Sequence, residues 1–165
     1  MANMKALVIY QSIHHHNTVK VAEAIAEALD ADLKKVSEVE SKDVMEYDLI
    51  GFGSGIFWGK HHASLLRLVD GLPIMEDKKV FIFSTSGMSN SMNFLHNIKN
   101  RVSHFHGILR KSLQAKGAMI IGEYSCRGYD TAGPLTYIGG INRKRPNDSD
   151  IRKAKEYASD IKGMA

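Results

Sequence analysis

The sequence predicts an α/β protein in which helices cover both faces of a parallel sheet. Short apolar runs rich in β-branched residues alternate along the chain with segments of helical periodicity. The two kinds of segment follow each other at the spacing of βαβ units. A polar loop comes after each main apolar run. Because the carboxyl ends of parallel strands meet at one edge of a sheet, we expect these loops to converge there and form a ligand site.

The first half of the chain supplies most of this alternation. An apolar run predicts the first strand over residues 5–10, and helical spacing of apolar residues predicts the first helix over residues 18–29. Residues 32–36 give a weaker signal for a second strand, and residues 37–45 are predicted to form a loop. A further buried strand is predicted over residues 49–53.

The second half continues the same pattern. The predicted strands are 79–83 and 118–122, and the predicted helices are 63–69, 94–115 and 149–161. We expect the long helix to be interrupted near Gly107, and Ser149 or Asp150 to cap the closing helix. The segment 125–147, with its glycines and prolines, is predicted to be irregular.

Length, charge and cysteine content limit the possible classes. The 165 residues predict a single domain spanning the whole chain. No apolar run approaches the ~18 residues that a membrane span requires, and residues 1–10 lack the pattern of a secretory signal. Cys126, the single cysteine, excludes an internal disulfide and fits a reducing compartment. We therefore expect a cytoplasmic protein that does not associate with membranes.

The net charge of +4 is dispersed along the chain except at Arg143, Lys144 and Arg145. Dispersed charge is more typical of a solvated surface than of a nucleic-acid interface, so we expect no nucleic-acid partner. The basic run itself has two interpretations. It is first a solvated segment, and second a docking patch for an acidic partner.

The first polar loop leads into the first predicted helix. It comprises Ser12, Ile13, His14, His15, His16, Asn17 and Thr18. A loop at a helix start presents unpaired N–H groups and the positive end of the helix dipole, a combination that binds anions and usually phosphate. Hydroxyl and amide groups of Ser12, Asn17 and Thr18 can add donors. Neither glycine pattern of the dinucleotide-binding folds and P-loops is present.

The second polar loop carries the only tryptophan of the chain. The loop comprises Ser54, Gly55, Ile56, Phe57, Trp58, Gly59 and Lys60. Its glycines let the backbone approach a ligand closely, and the ring of Trp58 suits stacking on a planar aromatic ligand. The alternative is that Trp58 only covers the edge of the sheet. A third loop, after the strand at 79–83, includes Thr85, Ser86, Gly87 and Met88.

Histidines near the same edge raise the question of a metal site. The candidates are His14, His15, His16, His61 and His62. Adjacent histidines in one loop cannot all point at one ion, so a metal site is the minor interpretation. We expect His96, His104 and His106 to lie on the surface of the long helix, and Cys126 to be a buried, inert thiol.

The three loops resemble the cofactor loops of the flavodoxin family. Residues 12–18 are similar to the family's phosphate loop, T/S-x-T-G-N-T, and are one residue longer. Residues 53–59 resemble the segment G-[CS]-[PS]-T-W-G, which in the family packs against the flavin ring. The loop at 84–88 corresponds to the loop on the other side of the ring. The resemblance covers essentially the whole chain.

This resemblance implies a three-layer, doubly wound, five-stranded parallel sheet with strand order 2-1-3-4-5. It also implies that the three loops bind FMN and that the protein transfers electrons between protein redox partners. The chain departs from the family in its basic charge, in Lys60 at a position that is often acidic, and in a third loop without an aromatic residue. The alternatives are an FMN-dependent NAD(P)H:quinone-type oxidoreductase, and a module that has lost its flavin.

Overall fold

The computed structural model describes residues 4–87, 105–131 and 133–165. In this part of the chain, a central sheet lies between two layers of helices. The strands are β1 (Ala6–Gln11), β2 (Asp32–Lys35), β3 (Leu49–Phe57), β4 (Lys60–His61), β5 (Lys79–Ser86) and β6 (Met119–Arg127). The α-helices are α1 (Asn17–Leu29), α2 (Ser41–Val44), α3 (Ala63–Asp70), α4 (Gly107–Ala115) and α5 (Asp148–Met164). Short 3-10 helices lie at Val36–Glu38 and Gly133–Ile138.

The five long strands are parallel and lie in the order β2-β1-β3-β5-β6. When the two-residue strand β4 is left out of the count, this order is 2-1-3-4-5, which confirms the predicted doubly wound architecture. The sequence did not predict β4, a two-residue strand that pairs antiparallel with the end of β3. Strand order reverses direction between β1 and β3, and ligands of such sheets bind outside the carboxyl ends at this point.

Each face of the sheet buries its own apolar core. Phe81 and Phe83 of β5 face α1 and α5, whereas Ile82 between them faces α3 and α4. This alternation follows from the period of two along a strand. Gly51 and Gly53 of β3 leave room for the two rings, since an added Cβ at either glycine would lie 2.2 Å from a ring carbon.

Several boundaries differ from those that the sequence predicts. β3 extends to Phe57, so most of the second polar loop is strand. The cap predicted at Ser149 or Asp150 is wrong. Asn147 caps α5 by accepting the N–H of Asp150 at 3.0 Å, while the Asp150 carboxylate accepts the N–H of Asn147 at 2.9 Å. The predicted helix at 94–115 lies largely outside the described residues, and α4 is its described part.

None of the helices within residues 4–87, 105–131 and 133–165 is both long enough and apolar enough to cross a bilayer.

Candidate functional site

A cleft with a volume of about 640 Å³ opens at the carboxyl edge of the sheet, beside β1 and β3. All three predicted loops contribute to it. The predicted residues that line it are Ile13, His14, Asn17, Thr18, Gly55, Ile56, Phe57, Trp58, Gly59, Thr85, Ser86 and Gly87. The predicted residues outside its lining are Ser12, His15, His16, Ser54 and Lys60. Met88 falls outside the described residues.

The first loop ends in an unusual helix start. His15 and His16 have φ angles of 56° and 53°, in the left-handed region, and α1 begins directly after them at Asn17. His16 makes no side-chain cap, so the N–H groups of the first turn lack intrahelical and cap partners. Asn17 and Thr18 line the cleft, which places the positive end of the α1 dipole at its wall.

Side chains at the start of α1 tie the loop to the rest of the edge. The Asn17 amide donates to the carbonyl of Tyr129 at 2.7 Å, and the hydroxyls of Thr18 and Thr85 lie 2.8 Å apart. These groups are therefore held by protein contacts. Two buried atoms of this loop and helix start have no hydrogen-bond partner within the described part of the chain, the Oγ of Ser12 and the Oδ1 of Asn17. An unpaired hydroxyl beside a helix N-terminus is a donor available to an anion.

The second loop is a tight hairpin. Trp58 and Gly59 connect β3 to β4 and have φ angles of 51° and 79°. Positive φ at both central residues is the type I′ geometry that fits the twist of hairpin strands. Glycine adopts it freely, but a bulky residue in the left-handed region is strained. The indole of Trp58 is 98% exposed, so no group of the described residues covers the ring that this backbone presents beside the cleft.

A buried hydroxyl holds the base of this hairpin. Ser54 Oγ donates to the carbonyl of Gly55 at 2.8 Å, accepts the N–H of His62 at 3.0 Å, and lies 2.8 Å from Nδ1 of His61. The other ring nitrogen of His61 is Nε2. That Nε2 is buried with no partner among the described residues. Burial and the neighbouring His106 lower the pKa of His61 well below its usual value.

Ser54 belongs to a row of serines below the cleft floor. Ser54, Ser84 and Ser125 are paired in register across β3, β5 and β6. His106 was expected on the surface, but it is fully buried because its ring bonds to Ser84 at 2.8 Å and to Glu123 at 3.0 Å. These groups form a polar layer at the end of an otherwise apolar core.

Glu123 carries the negative charge of this layer. Arg110 contacts both of its carboxylate oxygens, at 2.6 Å and 2.7 Å. Burial alone would raise its pKa, but hydrogen bonds from His106 and Arg110 lower the pKa of Glu123 to about 2. Ser84, His106 and Glu123 have the connectivity of a hydrolase triad, yet Ser84 is 0% exposed and cannot reach a substrate.

The third wall of the cleft consists of residues that the sequence analysis did not name as site residues, although it expected the loop at 125–130 at this edge of the sheet. The ring centroids of Tyr129 and His15 lie 4.1 Å apart, and His15 Nε2 lies 2.9 Å from the Thr131 hydroxyl. The Asn142 amide donates to the carbonyl of Gly87 at 2.8 Å. This wall adds residues from 129–135 to the lining of the cleft, and Phe105 lines it as well. The added residues are Phe105, Tyr129, Asp130, Thr131, Gly133, Pro134 and Leu135. The position of residues 129–130 follows from the strand before them, but no local pattern showed how the irregular segment beyond them would pack.

The histidines do not converge on one point. His61 lies beneath the cleft floor, and His62 caps α3 by accepting the N–H of Ser64 at 3.2 Å. Within the residues that the structure describes, no group of three or more His, Cys, Asp or Glu side chains could hold a metal ion. Cys126 is buried as expected, and burial raises the pKa of its thiol to about 12.

The fold and the cleft define a class: a doubly wound α/β domain with a ligand site at the switch point of its sheet. A family model described as a flavodoxin domain matches residues 7–132. The chain belongs to the flavodoxin family.

Individual proteins are similar to this chain in sequence or in fold. An uncharacterized protein of Methanocaldococcus jannaschii is 47% identical over 158 residues, which cover 96% of this chain and 98% of the relative. A flavodoxin from the domain Archaea superposes with a TM-score of 0.63 at 18% identity, covering 98% of each chain. Oxidised flavodoxin 2 from Bacillus cereus gives 0.62 at 18% identity, covering 93% of this chain and 94% of that one. The two structural similarities establish the fold.

Proposed function

We propose that this protein binds FMN in the cleft and carries electrons between redox partners. One observation carries the proposal: the N-terminus of α1 and the exposed ring of Trp58 line the same cleft. The first is suited to a phosphate group and the second to a planar ring system. Membership of the flavodoxin family supports the same cofactor.

The residues present fit a phosphorylated flavin. N–H groups of the first turn of α1 would donate to the phosphate, and Ser12, just outside the cleft lining, has an unpaired hydroxyl that could add a further donor. The Trp58 hairpin and residues 85–87 all line the cleft, so they would border the flavin ring. When bound, FMN supplies the electron-accepting and electron-donating chemistry, and the protein supplies position and electrostatics. A cleft of about 640 Å³ is in the range of cofactor sites.

FMN is favoured over FAD because the chain has one anion-binding loop and no dinucleotide glycine pattern. The test is to purify the protein, record its visible spectrum, release the cofactor by heat and identify it by chromatography. We expect FMN. Released FAD, or a protein that takes up no flavin on reconstitution, would overturn the proposal.

A second candidate function is an FMN-dependent NAD(P)H:quinone-type oxidoreductase. It is favoured by the third loop, where residues 84–88 contain no aromatic side chain to cover the ring. Such an enzyme oxidises NADPH with a quinone in the absence of any added reductase, whereas an electron carrier does not. Steady-state measurement of NADPH oxidation by the FMN-loaded protein separates the two.

A further inference from the structure

Carboxylates are scarce around the mouth of the cleft. Residues 11–22, 49–69 and 131–147 contain neither aspartate nor glutamate. These three segments supply the first loop, the Trp58 hairpin and most of the third wall. Asp130 is the exception, and its carboxylate lies against Gly87, where an added Cβ would come within 2.1 Å of it. Nine of the eighteen acidic residues of the chain lie in residues 23–48, and of these Glu38 follows directly after the carboxyl end of β2.

Basic side chains occupy the same segments. Lys60 is exposed at the start of β4, directly after the Trp58–Gly59 turn, and Arg143 and Lys144 are exposed beyond the third wall. Arg143 Nε donates to the carbonyl of Gly139 at 2.8 Å, which holds the guanidinium beside this wall. Arg145 contributes less net charge, because it pairs with Asp150 at 2.6 Å. The mouth of the cleft therefore carries positive charge, and the segments that supply this charge contain no carboxylate to neutralise it.

Large apolar side chains are exposed in the same place. Trp58 is 98% exposed, Tyr137 94%, Ile138 68% and Ile13 47%. They come from three different segments, each of which also lines the cleft or continues a lining segment. Single exposed apolar residues are ordinary, but several around one opening mark an interaction site. Tryptophan and tyrosine are the residue types that most often dominate binding energy at interfaces.

We propose that the mouth of the cleft is a docking surface for an acidic redox protein. Ile13, Trp58 and Tyr137 contact the apolar centre of the partner, and Lys60, Arg143 and Lys144 contact carboxylates at its rim. An apolar centre with a charged rim is the usual anatomy of a transient interface, and complementary charge raises its association rate. The inference rests on the proposed function, because docking here brings the partner to the flavin site.

The probe is a plant-type ferredoxin, an acidic one-electron iron–sulfur protein. Its dye-labelled form is titrated with the FMN-loaded and the flavin-free protein, and binding is followed by fluorescence anisotropy at several salt concentrations. We expect saturable binding that weakens steadily as salt increases, because opposite exposed charges are screened. The double variant Arg143→Glu, Lys144→Glu should weaken binding about tenfold or more at low salt.

The matched control is Lys153→Glu, Lys162→Glu, which makes the same change in net charge on exposed positions of α5. It should change affinity less than about twofold. Tyr137→Ser should weaken binding about tenfold while leaving the salt dependence unchanged, since it removes only apolar contact.

Equal weakening by both double variants would overturn the proposal, because net charge and not this surface would then control binding. So would no binding at low salt, or tighter binding of basic cytochrome c than of ferredoxin. Binding measurements on the flavin-free protein distinguish failure of the proposed function from failure of the docking surface. A protein that binds ferredoxin but no flavin disproves the proposed function, whereas one that binds FMN but not ferredoxin disproves the docking surface.

Discussion

Nδ1 of His61 lies 2.8 Å from the Oγ of Ser54, and this hydrogen bond closes the base of the hairpin that carries Trp58. The same oxygen accepts the N–H of His62, directly before α3 begins at Ala63. One buried hydroxyl thus joins the end of β3, the strand β4 and the start of α3. The position of the exposed Trp58 ring depends on contacts below the cleft floor as well as on the turn itself.

Ser54→Ala should lower the free energy of unfolding by about 1–3 kcal/mol, because it leaves the His61 imidazole buried without a partner on either nitrogen. Urea denaturation measures the change. Ser159→Ala is the control, since Ser159 is exposed and its hydroxyl donates to the Lys155 carbonyl of its own helix. The control should change stability by less than about 0.5 kcal/mol. Equal effects of the two substitutions would contradict the anchoring role of Ser54.

The pH dependence of stability should report the burial of His61. Its pKa is lowered on folding, so the unfolded chain binds more protons below the ordinary histidine pKa of about 6.5. Stability therefore falls as pH decreases through 6.5, by up to about 1.4 kcal/mol per pH unit. His61→Asn, which can keep a hydrogen bond to Ser54, should flatten the dependence between pH 7 and 5. A profile unchanged by His61→Asn would refute the assignment.

Glu123 should affect the stability of the protein in a separate and more acidic pH range. Its pKa is lowered to about 2, so its contribution is complete above pH 4.5 and is lost as pH falls from 4.5 towards 2. Glu123→Gln should remove this acid-sensitive part of the stability curve and leave the slope between pH 7 and 5 unchanged. Thermal unfolding at a series of pH values measures both windows. If the Glu123→Gln protein still lost stability between pH 4.5 and 2 to the same extent, other carboxylates would be the cause.

FMN binding should strongly quench the tryptophan fluorescence of the protein. Trp58 is the only tryptophan, and its exposed ring lines the cleft, so the signal reports one position. AMP is the matched ligand control, because it offers a phosphate group without a flavin ring. Titration with FMN should decrease the emission until the site is saturated, and titration with AMP should leave it nearly constant. Constant emission with FMN would place Trp58 away from the flavin ring.

Gly87→Ala should disturb the cleft, because the added Cβ would lie 2.1 Å from the Asp130 carboxylate. Moving Asp130 strains its backbone pairing with Ile141, which holds the third wall. We expect a loss of about 1–3 kcal/mol of stability together with weaker FMN binding. Gly163→Ala serves as the control, since a Cβ there meets no atom within 4 Å. An unaffected Gly87→Ala protein would show that the wall adapts without cost.

The sequence predicted the parts of this fold that depend on local periodicity. Alternating apolar runs located the long strands, and helical spacing located α1 close to its observed bounds. The Trp58 hairpin escaped prediction because tryptophan is not a residue that favours left-handed backbone. Most residues of the predicted second loop belong to the end of β3.

The candidate site was predictable only where it lies next to the strand ends. The serine row of Ser54, Ser84 and Ser125 depends on strand register, which a single sequence does not determine. His106 was expected on a helix surface, but tertiary contacts with Ser84 and Glu123 bury it. The wall that includes Tyr129 arises from packing between segments more than a hundred residues apart, as its contact with His15 shows.

The most direct test of the account is an equilibrium titration of the flavin-free protein with FMN and with riboflavin. The two ligands share the ring system and differ in the phosphate that we assign to the N-terminus of α1. Hydrogen bonds to a charged group are worth about 1.5–3 kcal/mol each, so FMN should bind with 1:1 stoichiometry and at least about tenfold more tightly than riboflavin. Equal affinities for the two ligands, or no saturable binding of FMN, would contradict the central claim.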